Sequence, residues 1–116
     1  MFDLEALRRF GANVEDGLNT CVNNEEFYLK MVRKAVADAS FDRLEKAVEG
    51  KDLDEAFEAA HALKGALGNL AITPILEPVV EMTEHLRGRE DMDYGPYLKT
   101  ILDKKKELEE IVNADV

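Results

Sequence analysis

The chain has no tryptophan, one cysteine and three prolines among 116 residues. A lone thiol, Cys21, cannot close an internal disulfide, so a stapled secreted scaffold is excluded and a reducing compartment fits. The start, Met1-Phe2-Asp3-Leu4-Glu5, lacks the pattern of a secretory signal, and the expected location is the cytoplasm. No apolar run approaches the ~18 residues that a membrane span needs. Positive charge is also scarce: 15 Lys and Arg stand against 25 Asp and Glu, a net charge of −10. Nucleic acid and an anionic membrane surface are therefore not expected as partners. Strand signals are missing as well, with no β-branched alternation and no hairpin dipeptide. The two histidines, His61 and His85, and nearby Glu58 do not make the compact ligand set that a zinc site requires.

What is present is helical periodicity. A first short helix covers about Asp3 to Phe10 and ends at Gly11. A second follows Asn13 as N-cap and carries Val14, Leu18, Cys21 and Val22. A third starts after Asn23-Asn24, with Glu25 and Glu26 favouring its dipole and Tyr28, Met31, Val32, Ala35, Val36 and Ala39 as its stripe. A fourth carries Phe41, Leu44 and Val48 and stops at Gly50. The count is seven if the bend near Ser40 is a true break and six if it is not. The fifth helix runs from about Leu53 to Leu70. Asp52 is its expected N-cap and Glu55 completes a capping box. Thr73-Pro74 opens the sixth, which ends at Gly88. Pro78 either delays its regular start or kinks its first turn. The seventh follows Gly95-Pro96, and its apolar stripe is interrupted at Lys104 or Lys105.

Short connections between amphipathic helices favour antiparallel neighbours. The expected fold is all-α, an antiparallel up-down four-helix bundle with short extra N-terminal helices. A chain of this length reads as one domain over 1–116, with cap helices in 1–22 and the bundle in 24–112.

The densest chemistry lies in His61-Ala62-Leu63-Lys64-Gly65-Ala66-Leu67-Gly68-Asn69-Leu70. Leu53, Ala56, Ala60, Leu63, Leu67 and Leu70 form an inward seam. At ~100° per residue, His61 points roughly 130° away from that seam, and so into solvent. Phe57, Glu58, Lys64, Gly65 and Gly68 flank it. A glycine inside a helix costs roughly 0.5–1 kcal/mol relative to alanine. Two of them beside one imidazole suggest that something must come close to it. Neutral imidazole has a free lone pair for nucleophilic attack, and Lys64 suits an arriving anionic group such as phosphate. Gly65 and Gly68 lie within a helix and form no phosphate-cradling loop. No ATP-binding module fits in the remaining residues, so self-phosphorylation is not expected.

The run His61-Ala62-Leu63-Lys64-Gly65, followed by Gly68-Asn69-Leu70, resembles the histidine-containing phosphotransfer (HPt) family, whose hallmark reads His-x-Leu-Lys-Gly. The approach Phe57-Glu58-Ala59-Ala60 and the helical pattern from about Asn24 onward are also similar to the family. Two positions depart from it. Ala66 stands where the family often has serine, which removes a hydroxyl near the site. Ala71 stands where a glycine is usual, which bears on the turn closing the helix and not on the acceptor chemistry.

The resemblance implies a phosphorelay intermediate that is not an enzyme in its own right. His61 would accept a phosphoryl group through Nε2 from a receiver-domain aspartate and pass it to another receiver. Lys64 would shield the phosphate, Gly65 would give steric clearance, and Phe57, Glu58 and Gly68 would meet the partner. No cofactor is expected on this chain, since the Mg²⁺ would sit on the partner receiver. Response-regulator receiver domains are the implied partners, a hybrid histidine kinase is a further one, and the chain is expected to act as a monomer. Two other classes stay open: a non-catalytic helical adaptor, and an isolated substrate domain of a histidine kinase.

Overall fold

The computed structural model describes residues 2–114. Among these there are seven helices and no strand: α1 (Leu4–Phe10), α2 (Val14–Thr20), α3 (Glu25–Val36), α4 (Ser40–Glu49), α5 (Leu53–Asn69), α6 (Thr73–Arg87) and α7 (Gly95–Val112). The bend near Ser40 is a true break. Ala37 to Ala39 leave the helix, and Asp38 accepts the Ser40 N–H at 2.7 Å.

Four helices begin on short polar side chains that accept an otherwise unpaired N–H three residues on. Asp3 caps Ala6 at 2.9 Å, Asn13 caps Asp16 at 3.3 Å, Asn24 caps Phe27 at 3.0 Å and Asp52 caps Glu55 at 3.1 Å. The capping box at α5 is only half made, because the Glu55 carboxylate turns away to Arg43 on α4. Pro78 does not delay α6, which already starts at Thr73 with Pro74 in its first turn.

The helix ends differ from expectation. Gly11 takes the left-handed conformation after α1, at φ +109°. Gly50 and Gly88 do not; their φ values are −85° and −86°. The left-handed residue comes one position later, as Lys51 at +57° and Arg89 at +51°, and α5 turns on Ala71 at +53°. At all three ends the next residue donates to a carbonyl five positions back: Asp52 to Ala47, Ile72 to Leu67 and Glu90 to His85, at 2.8, 3.1 and 3.2 Å. These paired bonds close the helix with or without glycine. Val22 is also left-handed and is 83% exposed, so it leaves the α2 stripe on which periodicity put it.

Helices α4, α5, α6 and α7 form a closed ring in which each packs on the next and α4 meets α7; α3 packs on α7 and α2, and α1 on α2 and α7. The α5 seam lies inside this ring, with Ala56, Ala60, Leu63, Leu67 and Leu70 buried and Leu53 half-buried. Opposite it stand Leu44, Ile75, Val79, Leu86, Ile101 and Leu108. Ala59 and Met82 are buried too, though they fall off the simplest seams. Cys21 is a buried free thiol. Lys105 interrupts the α7 stripe by lying along the surface: its ammonium sits 5.3 Å from the Phe41 ring centre and 3.2 Å from Glu109.

The C-terminal end of α5 is tied down from the N-terminal segment. The Tyr28 hydroxyl donates to the Leu70 carbonyl at 2.9 Å, and the Asn13 N–H donates to the Ala71 carbonyl at 2.9 Å. Tyr28 is fully buried, and burial pushes its phenol up to about 12.

Candidate functional site

His61 lies near the middle of α5, on the side turned away from the buried seam, and is exposed. This follows from the spacing of the seam. Once Ala60, Leu63 and Leu67 face inward, position 61 has no core to enter. Phe57 and Glu58 lie one turn before it, Lys64 and Gly65 one turn after, and Gly68 two turns after. Glu58, Gly65 and Gly68 are exposed; Phe57 and Lys64 are half-buried.

The two glycines differ. A β-carbon at Gly65 would meet nothing within 4 Å, so the space above it is open. A β-carbon at Gly68 would make ordinary contact with Leu76 of α6, at 3.9 Å. Gly65 opens wholly toward solvent, while the exposed Gly68 is bordered on one side by Leu76.

Lys64 makes no ion pair among the described residues and keeps its charge available for an incoming anion. The His61 ring nitrogens likewise have no hydrogen-bond partner among the described residues. The imidazole instead leans on Phe57, with ring centres 5.7 Å apart and planes at 43°.

Two arginines join this face that sequence reasoning missed. The guanidinium carbons of Arg87 and Arg89 stand 5.3 and 4.9 Å from the Phe57 ring centre. Arg89 also donates from Nε to Asp54 at 2.7 Å. Neither arginine is near position 61 in the sequence; they arrive because α6 runs back alongside α5 and its last turn reaches Phe57. An arginine at or just past the end of a helix is a common dipole partner, so no sequence signal marked Arg87 or Arg89.

His85 is not part of this face. Its Nδ1 pairs with Glu90, and its ring packs on Tyr97 with centres 5.7 Å apart. No group of three or more His, Cys, Asp or Glu among the described residues could hold a metal ion. No described helix is long and apolar enough to cross a membrane.

An exposed imidazole with an unpaired cation one turn on and open space beside it can receive a phosphoryl group from a docked partner. The sequence model of the Hpt domain matches residues 29–114. The chain belongs to the Hpt domain family. No curated protein and no solved structure matches it. Hpt domains are phosphotransfer carriers of two-component signalling rather than kinases, and they work with receiver domains and histidine kinases. The helical bundle described above is the Hpt fold. The matched span begins just after Tyr28, so α1, α2 and the first turn of α3 precede it.

Proposed function

We propose that this Hpt domain is a phosphorelay intermediate in which His61 is the acceptor. The lone pair of His61 Nε2 attacks the phosphorus of a receiver's aspartyl phosphate. The bond from phosphorus to the carboxylate oxygen breaks, and the aspartate leaves as carboxylate. The phosphohistidine later gives the group to a second receiver aspartate by the reverse exchange. Such transfer depends on positioning and charge stabilisation more than on covalent help from the protein. Lys64 shields the transferred charge, and Gly65 gives the receiver its clearance. Glu58, Phe57 and Gly68 lie where the receiver would rest. Mg²⁺ belongs to the receiver's aspartate site, and this chain acts as a monomeric carrier. The observation that carries the reading is an exposed His61 with nothing above Gly65.

The test is incubation with a phosphorylated receiver domain. The label on this protein should be acid-labile and base-stable, as a phosphorus–nitrogen bond is. His61→Gln should take up none of it and keep the helical fold. Label retained by that variant would move the acceptor elsewhere.

A further inference from the structure

An exposed imidazole with no hydrogen bond to either nitrogen is free to turn about its side-chain torsions. Attack on phosphorus needs its lone pair aimed, and loss of aim alone can cost orders of magnitude in rate. Among the described residues the only ring against His61 is Phe57, and Phe57 is itself half-exposed. What steadies Phe57 is the pair of guanidiniums, and these are not equally fixed. Among the described residues Arg87 has one carboxylate neighbour, Glu84, on its own helix at 3.5 Å. Arg89 bridges two helices: Nε donates to Asp54 of α5 at 2.7 Å, and Nη1 donates to the Leu86 carbonyl of α6 at 2.6 Å. Asp54, Phe57 and His61 are spaced three and then four apart on α5, so they share one face. Arg89 also occupies a left-handed backbone position, φ +51°, where glycine would sit without strain.

We infer that Arg89 is a positioning residue: anchored to Asp54, it holds the Phe57 ring, and that ring holds the plane of the His61 imidazole. This rests on His61 being the acceptor. Arg89→Gly is an informative variant, because it removes the side chain and relaxes the turn at once. A merely structural arginine would, on removal, lower the melting temperature and leave the His61 ring shifts and the labelling rate of the folded protein unchanged. Asp54→Ala removes the acceptor of the Arg89 Nε–H and so releases the anchor while keeping the cation. The Asp54 side chain is 86% exposed, so that variant should fold even if Arg89→Gly does not.

Phosphoramidate serves as the donor, so no receiver contact enters the measurement. His61 attacks its phosphorus, the phosphorus–nitrogen bond of the reagent breaks, and ammonia leaves. The second readout is the NMR shifts of the His61 ring protons, which the neighbouring Phe57 ring displaces. In both variants these shifts should move toward those of a free imidazole, and labelling should slow by about tenfold, with melting close to the parent's. Unchanged ring shifts, or parental labelling rates, in the variants that fold would overturn the inference. If the parent's label falls on another residue, the acceptor assignment fails, and the ring shifts still decide what Arg89 does.

Discussion

Gly17 and Tyr28 are in closer contact than any side chain at position 17 would allow. A β-carbon on Gly17 would stand 2.4 Å from the Tyr28 ring and 2.6 Å from the Leu70 carbonyl oxygen. The ring is fully buried and its hydroxyl is committed to that same carbonyl. Neither neighbour can give way cheaply.

Gly17→Ala should therefore destabilise the protein by about 1–3 kcal/mol, as overpacking does. Helix propensity alone predicts the opposite sign, a gain of about 0.5–1 kcal/mol. Urea denaturation of the two proteins separates these outcomes.

Gly65 should behave in the contrary way. Gly65→Ala adds a methyl group to open space inside α5 and should stabilise by about 0.5–1 kcal/mol. Gly65→Leu should fold as well as the parent yet lose phosphotransfer from a receiver. Parental transfer rates for the leucine variant would remove the clearance argument.

Ala71 holds a left-handed conformation at the end of α5. Such a conformation costs an L-residue roughly 1–2 kcal/mol. Ala71→Gly should relieve it and raise stability by about 0.5–1 kcal/mol after glycine's greater freedom in the unfolded chain is set against the gain. A rise in melting temperature is the check. A fall would mean the alanine methyl is worth more than the strain.

Tyr28 links stability to alkaline pH. Its folded pKa of about 12 lies above the ordinary tyrosine value of 10. The phenol's contribution is therefore whole below pH 10 and is lost as pH rises through 10 to 12, at about 1.4 kcal/mol per unit. Tyr28→Phe should flatten the denaturation profile in that window. At neutral pH it should cost about 1–2 kcal/mol, since the Leu70 carbonyl loses its donor.

Lys64→Ala should slow transfer more than it weakens receiver binding, with the helix intact. Rates measured under saturating receiver, beside the dissociation constant, give the comparison. Melting of α5 would mean that Lys64 is structural.

Local chemistry made much of this legible in the sequence. The acids and amides at positions 13, 24 and 52 mark three helix starts, and the Ala60–Leu63–Leu67 seam by itself puts His61 outside. Helix ends were harder to read. Gly50 and Gly88 signalled stops, but the left-handed residues are Lys51 and Arg89, because paired terminal hydrogen bonds can hold a residue with a β-carbon there. Ala71 illustrates the same point at the position where the family carries glycine. The arginines on Phe57 were out of reach for another reason. Positions 54 and 89 lie 35 residues apart, and only the packing of α6 on α5 joins them. Gly17 was missed because its need for closeness comes from a tyrosine on another helix.

The two donors that hold the tail of α5, the Asn13 amide and the Tyr28 phenol, both come from upstream of the span that matches the family. A fragment trimmed to residues 29–114 would keep the His-x-Leu-Lys-Gly run and every ring helix. It would leave the carbonyls of Leu70 and Ala71 without these protein donors. The segment before residue 29, through the α2 N-cap and the first turn of α3, is in this sense a clamp on the far end of α5, and the smallest piece bearing the motif is not the smallest piece that holds it steady.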